Sequence, residues 1–519
     1  MIVFAAAAAV RLYRLTDFPL GAFVDEIFTL NSSLLLLETP FNPFGHTLLV
    51  SQAWGKDHAN LFLYFNLLVL KIFGVSYWST KLLSVIPGVA ASVLVFLIAR
   101  RIFDQPVALA TSLLFAFAHW GVRLNRYGWD VSLMLATFAA AIWLLLIAMQ
   151  TGRSRYFVFS GLAAGLSLYS YLGSRIVLFS LLVFLGLECV LRRDRQTYRN
   201  AARFVIGAAA AALPFLSYYF SDPSALLSRT SEVSVFNSAE PFKTILMNIV
   251  RHALMFHWRG GTFARDNFPG LPMVDPITGV LLIVGLLVMW RSRDMLARLV
   301  GCTFFLNFIG GVLSVSQEGP PYVYRTAAVI VPAFLLAGAG LQWVQQRLGT
   351  RWLMISTFLI VLLNVYLYFG LEAKNAAAMR VMAYEPRLIG LEIAREKDPV
   401  WLVSPGVLTQ TEIQPKSGER YPEANPAVIL PTMVRKLAII NFSGRYDIHR
   451  TVADNLAQPR DIHFVEAGNI PMRGPARIIF KSSDREMNQA VARPGVSLRY
   501  IPDMFGQPLF TVASLPPSG

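Results

Sequence analysis

Long runs of apolar residues alternate with short polar connections along the first 370 residues of this chain. Runs of roughly 15 to 20 apolar residues are long enough to cross a bilayer as helices. The pattern predicts a polytopic α-helical membrane protein with about eleven spans. The predicted spans are Met1 to Leu15, Leu82 to Ala99, Val107 to Val122, Val131 to Met149, Tyr156 to Leu172, Ile176 to Leu191, Ala201 to Phe220, Ile277 to Trp290, Leu296 to Val315, Thr326 to Val344 and Trp352 to Gly370.

Two further segments are predicted to lie along the membrane surface rather than to cross it. Leu61 to Phe73 is short for a span and contains polar side chains, so it is expected to be an interfacial helix. Ile27 to Leu37 is expected to form another. The first span is short and carries Arg11 and Arg14 near its end, so we expect either that the given sequence begins part-way through this span or that the two side chains reach the interface.

Arginine clusters predict the orientation of the spans. If the segment Leu61 to Phe73 does not cross the membrane, all of these clusters lie on the same side of it. The positive-inside rule makes that side cytoplasmic. The chain is then expected to begin inside and to end outside. The clusters are Arg100-Arg101, Arg153 with Arg155, Arg192-Arg193 with Arg195, Arg291 with Arg293, and Arg347 with Arg351.

The composition agrees with a membrane protein. Hydrophobic residues make up 55% of the chain and charged residues 15%, and the mean hydropathy is +0.51, which is too apolar for a soluble globular chain. The net charge of +15 does not indicate a nucleic-acid partner, because the basic residues lie in short loops between spans. Cys189 and Cys302 lie in or beside apolar segments, so no disulfide framework is expected.

Beyond Gly370 the composition changes to that of a soluble domain. We therefore predict a membrane domain over residues 1–370 and an extracytoplasmic α/β domain over residues 371–519. The second domain is expected to be a lid or docking module rather than a second active site. The predicted helices are Met379 to Lys397 and Asp447 to Ala457. The predicted strands are Trp401 to Ser404, Ala438 to Phe442, Ile462 to Glu466, Arg477 to Lys481, Leu498 to Ile501 and Leu509 to Val512.

Ionisable residues of both signs gather in the loops predicted to lie outside, so any chemistry is expected there. Carboxylates so close to lipid call for a functional explanation. Asp25 and Glu26, just after the first span, are the leading candidates. The set comprises Asp25, Glu26, Lys56, Asp57, His58, Arg126, Asp130, Arg175, Arg259, Arg265, Asp266, Glu318 and Arg325.

A series of motifs follows the same order along the chain. They are Arg11-Leu12-Tyr13-Arg14-Leu15 with Phe18-Pro19, Asp25-Glu26, His58-Ala59-Asn60-Leu61 with Phe73-Gly74, Tyr169-Ser170-Tyr171-Leu172-Gly173-Ser174-Arg175, Asn267-Phe268-Pro269-Gly270-Leu271-Pro272, and Glu318-Gly319-Pro320-Pro321-Tyr322-Val323-Tyr324-Arg325-Thr326. Together they resemble the polyprenyl-phosphate-sugar-dependent glycosyltransferases of the GT-C superfold. More narrowly, the chain is similar to bacterial glycosyltransferase family 39, whose relatives include protein O-mannosyltransferases and aminoarabinose transferases. The resemblance covers Arg11 to about Leu341, although both family prolines after His58 are replaced here.

The resemblance implies an inverting glycosyltransferase of a bacterial inner membrane. Its donor would be a polyprenyl-phosphate-linked sugar, and its acceptor a hydroxyl of a glycan, lipid or protein on the extracytoplasmic face. Asp25 would take the proton from that hydroxyl, and Glu26 would share the catalytic site or brace the following helix. Arginines would hold the donor phosphate through charge-assisted hydrogen bonds.

Substrate-binding candidates come from the same loops, each beside a plainer interpretation. Arg175 and Arg325 would bind phosphate or act as interfacial anchors. Arg126 and Asp130 would join the site or pair with each other. The full set is Lys56, Asp57, His58, Arg126, Asp130, Tyr171, Arg175, Arg265, Asn267, Glu318 and Arg325.

No required cofactor is expected. The first outer loop lacks the Asp-x-Asp pattern of metal-dependent GT-C enzymes, although Asp25, Glu26 and Asp57 offer some oxygen ligands for a divalent ion. Two other functions stay open, a lipid-linked sugar transporter and a noncatalytic subunit of an envelope complex. Transporters usually place charged residues near the midplane between repeated halves, and no internal repeat is evident. The sequence indicates neither the sugar nor the acceptor.

Overall fold

The computed structural model is mainly helical over its first 395 residues and contains a sheet after them. It describes residues 1–38, 50–53, 56–59, 61–220, 223–316, 318–382, 384–404, 431–451, 454–455, 461–470, 476–503 and 506–516. The helices before the sheet are α1 (Ile2–Leu12), α2 (Val24–Glu38), α3 (Leu61–Phe73), α4 (Tyr77–Ile102), α5 (Gln105–Phe117), α6 (His119–Leu124), α7 (Val131–Thr151), α8 (Ser154–Leu166), α9 (Ser174–Arg192), α10 (Arg195–Ser217), α11 (Pro223–Glu232), α12 (Pro241–Leu254), α13 (Pro276–Ser292), α14 (Met295–Leu306), α15 (Ile309–Val312), α16 (Ile330–Leu348), α17 (Thr350–Val365), α18 (Ala376–Val381) and α19 (Tyr384–Arg395).

Among the described residues, seven helical segments are long and apolar enough to cross a membrane. These segments are Tyr77–Ile102, Val131–Thr151, Ser174–Arg192, Arg195–Phe220, Met295–Val312, Ala327–Leu348 and Thr350–Lys374. Shorter apolar helices are Ile2–Leu12, Leu61–Phe73, Gln105–Phe117 and Pro276–Ser292. A helix overlaps each predicted span, and the prediction of a polytopic helical membrane protein is confirmed.

Small residues bring α8 and α10 into close contact. A Cβ added to Gly161 would lie 2.0 Å from the carbonyl oxygen of Phe204, and one added to Gly207 would lie 2.1 Å from that of Val158. Such spacing of small residues lets two helix backbones approach in a membrane. Both cysteines are free thiols, as predicted.

The prediction that Arg11 reaches the interface is wrong. Its guanidinium is fully buried, and it donates to Asn125 Oδ1 at 2.9 and 3.1 Å and to the Ala116 carbonyl at 2.9 Å. These acceptors replace the water that a snorkelling arginine would seek. Arg14 is exposed and pairs with Asp17 at 2.7 Å.

Two strands, β1 (Val50–Ala53) and β2 (Lys56–Ala59), form an antiparallel pair before α3. A second, five-stranded sheet lies in the carboxyl-terminal part, with the order β4-β3-β5-β7-β6. Strand β3 is parallel to β4 and β5, and β7 is antiparallel to β5 and β6. Its strands are β3 (Val400–Ser404), β4 (Ile462–Glu466), β5 (Ala476–Lys481), β6 (Ser497–Pro502) and β7 (Pro508–Leu515).

Helices cover both faces of this sheet. Helices α19 and α20 (Pro431–Phe442) bury apolar side chains against Leu402 and Ile479, and α21 (Arg485–Val491) packs on the opposite face against Ile478. The alternation of side chains along each strand supplies the two apolar faces.

Three sequence predictions need correction or restriction here. Ala438 to Phe442 is the end of α20 and not a strand, because its apolar residues form one buried helix face. The predicted helix Met379 to Lys397 is divided between α18 and α19. In the predicted helix Asp447 to Ala457, residues 447–451 are not helical and 454–455 are helical, while 452–453 and 456–457 lie outside the described residues.

Candidate functional site

Asp25 and Glu26 occupy the first turn of α2, but their environments differ. Glu26 is buried, and its Oε1 accepts from Lys81 Nζ at 2.6 Å and from the Gly128 amide at 2.7 Å. Its Oε2 accepts from the Phe23 amide at 2.8 Å, which is the reciprocal half of a helix capping box. Both carboxylate oxygens of Glu26 are therefore engaged in hydrogen bonds that connect the start of α2 to Lys81 and Gly128.

Asp25 faces outward instead. Its side chain is 48% exposed, and its Oδ2 lies 3.8 Å from Nη1 of Arg265. Successive side chains of a helix point about 100° apart, which explains how two adjacent carboxylates reach such different surroundings. Asp25 keeps access to solvent while sharing an ion pair with a buried cation.

Arg265 is the centre of a buried charged cluster. Its Nε and Nη2 donate to the two carboxylate oxygens of Asp266 at 2.6 and 2.8 Å, and Nη2 lies 3.6 Å from Glu318 Oε1. Three carboxylates thus surround one guanidinium, which is 5% exposed. We call Asp25, Arg265, Asp266 and Glu318 the Arg265 cluster.

Aromatic rings enclose the guanidinium from several directions. The centroids of Phe23, Trp129, Phe263 and Tyr324 lie 4.7, 4.8, 4.9 and 4.8 Å from its central carbon. Rings at this distance attract a cation and exclude water from it. Burial opposes the charge of Arg265, but the Asp266 carboxylate raises its pKa above the ordinary arginine value.

The cluster continues to Arg325. Tyr324 Oη donates to Glu318 Oε2 at 3.2 Å, and Arg325 Nε donates to Tyr324 Oη at 3.0 Å. Burial raises the pKa of Tyr324 to about 12 although the charge of Arg325 opposes the rise, so its hydroxyl remains protonated at neutral pH. A small cavity beside this row is lined by Asp266 and Glu318, among other residues.

Asp130 precedes α7 and lies on the same side of the bundle. Burial, and then the charge of Asp25, raise the pKa of Asp130 to about 8. Its Oδ1 is buried and accepts no hydrogen bond from the described residues. Because a neutral acid avoids the repulsion of a second carboxylate, Asp130 is expected to be protonated at neutral pH.

The structure brings part of the predicted set together around Arg265. Tyr171 packs beside Trp129 and Tyr324, with ring centroids 6.3 and 6.4 Å away. Arg175 lies at the start of α9, where Nη1 donates to Thr230 Oγ1 at 3.2 Å. The predicted candidates that contact one another or this group are Asp25, Tyr171, Arg265, Glu318 and Arg325, and Asp130 lies within the electrostatic influence of Asp25.

Other candidates have different surroundings. Arg126 is fully buried and donates to the carbonyls of Val10, Arg11, Arg14 and Phe18, so it ends α1 and holds the following loop. Those four acceptors satisfy its guanidinium without the Asp130 carboxylate.

Asn267 Nδ2 donates to the carbonyls of Gly261 and Leu271 at 3.1 and 2.6 Å, which closes its own loop. The backbone of Lys56, Asp57 and His58 forms β2, whereas their side chains lie outside the described part of the structure.

Several residues beneath the cluster were not predicted from the sequence. Lys81 lies inside the long apolar helix α4, and a lone lysine in such a helix is a signal that it has a partner. Arg123 and Glu372 form a buried ion pair at 2.9 Å. Their positions, 249 residues apart, carry no local motif that joins them.

Within the described ranges, no three His, Cys, Asp or Glu side chains are grouped as a metal site requires. The carboxylates of the cluster are directed at Arg265 instead.

Comparison with known proteins bears on both the fold and the family. Residues 57–219 match the family described as dolichyl-phosphate-mannose-protein mannosyltransferase. The structure of ArnT from Cupriavidus metallidurans bound to undecaprenyl phosphate matches 99% of this chain and 97% of its own, with a TM-score of 0.50 and 14% identity. The apo form of ArnT gives a TM-score of 0.52 and 13% identity over the same shares. The chain has a polytopic membrane GT-C fold.

The resemblance to GT-C glycosyltransferases that the motifs indicated is thereby confirmed. The archaeal oligosaccharyltransferase AglB from Archaeoglobus fulgidus, in complex with an inhibitory peptide and a dolichol-phosphate, is a more distant match. It has a TM-score of 0.43 and 13% identity over 76% of this chain and 57% of that one. No curated protein matches the chain in sequence.

Proposed function

We propose that this GT-C protein is an inverting glycosyltransferase that moves a sugar from a polyprenyl-phosphate-linked donor to an acceptor hydroxyl. The observation that carries the proposal is the half-exposed Asp25 carboxylate, 3.8 Å from the enclosed cation Arg265. An acid beside water and beside a fixed positive charge remains ionised and accessible, as a general base must be.

Asp25 accepts the proton of the acceptor hydroxyl, whose oxygen forms the new bond to the anomeric carbon of the sugar. The bond from that carbon to the phosphate oxygen breaks, and its electron pair leaves with the polyprenyl phosphate. Direct displacement inverts the anomeric carbon with a single base. Glu26, with both oxygens engaged, positions Asp25 and does not react.

The departing phosphate requires cations near the membrane surface. Arg325, joined to the Arg265 cluster through Tyr324, and Arg175, in the first turn of α9, are assigned this contact, since arginine forks match phosphate oxygens. Arg265 has three carboxylate neighbours and is assigned to Asp25 rather than to the donor. The undecaprenyl phosphate bound by ArnT supports a lipid phosphate as the donor group.

The placement in the membrane is proposed with the reaction. Eleven predicted spans run over about residues 1–370, with α2 and α3 at the interface. The arginine-rich connections face the cytoplasm of a bacterial inner membrane, and the Arg265 cluster and the α/β domain of residues 371–519 lie outside. Donor, acceptor and membrane lipid are the partners, with no nucleic acid and no required cofactor.

Sugar transfer by purified protein in lipid tests the proposal. Radiolabelled polyprenyl-phosphate sugars are offered with membrane extract as the acceptor to wild type, Asp25→Asn and the control Asp17→Asn. Asp17 is an exposed acid of the same loop, paired with Arg14. Loss of at least about 100-fold in Asp25→Asn alone is expected from removal of a general base.

Equal transfer by wild type and Asp25→Asn would remove Asp25 from this role. Movement of labelled lipid across the membrane without sugar transfer would favour the transporter, and assembly of an envelope complex without turnover would favour a noncatalytic subunit.

A further inference from the structure

Arg123, on α6, holds the backbone that carries Arg265. Its Nε donates to the Arg265 carbonyl at 2.7 Å, and its Nη2 donates to the Ala264 carbonyl. The hydroxyl of Tyr127 donates to the same Arg265 carbonyl. Because Arg123, Tyr127 and Arg265 are all buried, these bonds fix the backbone in place of water.

Glu372 in turn holds Arg123. Its Oε2 lies 2.9 Å from Arg123 Nη1, and its Oε1 contacts Nδ1 of His119. Glu372 follows directly after a π-helical turn, Tyr366–Leu371, at the end of the helical segment Thr350–Lys374. The start of the carboxyl-terminal region thereby determines where the Arg123 guanidinium lies.

The same region contacts the loop that carries Asp25. A Cβ added to Gly21 would lie 2.1 Å from the carbonyl oxygen of Met382 and 2.7 Å from the amide nitrogen of Tyr384. Tyr77 Oη lies 2.7 Å from the carbonyl oxygens of both Pro19 and Gly21, which share its one donor hydrogen. The loop is therefore held between α4 and the carboxyl-terminal region.

We propose that the beginning of the carboxyl-terminal region fixes the separation of Asp25 and Arg265 from both sides. Glu372 acts on Arg265 through Arg123, and Met382 with Tyr384 acts on Asp25 through Gly21. Glu372 and Arg123 are positioning residues, remote from the reacting atoms. The inference rests on the proposed function in one respect, that the Asp25–Arg265 pair serves sugar transfer.

Glu188 provides a matched control for Glu372. It is likewise a buried glutamate with two basic partners, Arg192 at 2.8 Å and Arg298 at 2.5 Å. It lies near the carboxyl-terminal end of α9, whereas Gly173, just before the first turn of that helix, lies beside Arg325, whose carbonyl oxygen would be 3.6 Å from a Cβ added to Gly173. Glu372→Gln and Glu188→Gln therefore both remove a buried ion pair. Only Glu372→Gln does so in contact with the residues that hold Arg265.

The experiment compares full-length wild type, Glu372→Gln, Arg123→Met, Gly21→Ala and Glu188→Gln in lipid nanodiscs. Cryo-electron microscopy measures the Asp25 Oδ2 to Arg265 Nη1 distance, and sugar transfer measures kcat/KM against pH. We expect the three variants near the site to lose the 3.8 Å contact and about 10- to 100-fold in kcat/KM. Their acid limb should move to higher pH, because Asp25 loses its neighbouring cation.

Glu188→Gln should keep the wild-type distance and profile. A Glu372→Gln variant with an unchanged distance and acid limb would overturn the proposal, and so would an equal effect of Glu188→Gln. If wild type transfers no sugar from any donor, the proposed function fails. The distances in Glu372→Gln and Glu188→Gln then decide the positioning role by themselves.

Discussion

Lys81 Nζ lies 2.6 Å from Glu26 Oε1, and both side chains are almost completely buried. The pair joins the second turn of α4 to the first turn of α2, next to the Asp25–Arg265 contact. A buried charge depends strongly on its partner, since desolvation of either ion alone is costly.

Replacement of Lys81 by methionine is expected to lower the free energy of unfolding by about 3–5 kcal/mol, because Glu26 is left as an unpaired buried carboxylate. Denaturation by SDS in mixed micelles measures the loss. The double variant Lys81→Met with Glu26→Gln should recover most of it, since no buried charge then remains. Equal instability of the single and double variants would contradict the electrostatic explanation.

Asp130 should make the protein less stable as pH rises. Its pKa is raised to about 8 by burial and by Asp25, while an unfolded chain has the ordinary value of about 4. Between these values the folded state binds the extra proton, so stability falls by up to about 1.4 kcal/mol per pH unit. Thermal unfolding of Asp130→Asn should show a weaker fall over this window, with Asp17→Asn as the unaffected control.

His252 is expected to contribute in the opposite direction. Burial lowers the pKa of His252 to about 4, so its Nε2 accepts from the Tyr322 amide at 3.1 Å while Nδ1 donates to the Asn248 carbonyl. The contribution of neutral His252 to the free energy of unfolding is lost as pH falls from about 6.5 towards 4. His252→Ala should cost about 1–3 kcal/mol at neutral pH by leaving a buried amide unpaired.

The exposed His449→Ala serves as the control for His252→Ala in chemical denaturation. A His252→Ala protein as stable as this control at pH 7, with the same loss in acid, would show that the Tyr322 contact has no energetic importance.

The contact between α8 and α10 provides a test of the membrane packing. Gly161→Ala places a methyl group 2.0 Å from the Phe204 carbonyl oxygen, which forces the helices apart. The expected cost is about 1–3 kcal/mol. Gly186→Ala, in exposed α9, meets no atom within 4 Å and should be neutral or slightly stabilising. Thermal unfolding of both variants in the same detergent measures the two changes in stability, and an equal effect of the two substitutions would contradict the prediction.

The sequence predicts the membrane architecture well because a bilayer imposes one simple requirement on every span, about 20 apolar residues with satisfied backbone. The bounds of α3 agree with the predicted Leu61 to Phe73 segment. Ala438 to Phe442 was assigned wrongly because five apolar residues suit a buried strand and a helix face equally.

Prediction of the site was limited by long-range geometry. The Asp-Glu motif directs attention to Asp25 and Glu26, yet only the fold separates the exposed acid from the buried one. Arg126 is a residue type that often binds phosphate, but here its guanidinium donates hydrogen bonds to four backbone carbonyls of an earlier segment. The pairing of Arg123 with Glu372 depends on tertiary packing that no local spacing encodes.

The position of Glu372 near the end of the helical bundle has a consequence for biosynthesis. Asp25 leaves the ribosome hundreds of residues before Glu372, while helices enter the membrane in chain order. Throughout that interval Arg123 lacks its carboxylate partner Glu372, which orients the guanidinium that donates to the Arg265 carbonyl. A nascent chain is therefore expected to reach full activity only after the segment Thr350–Lys374 has been inserted.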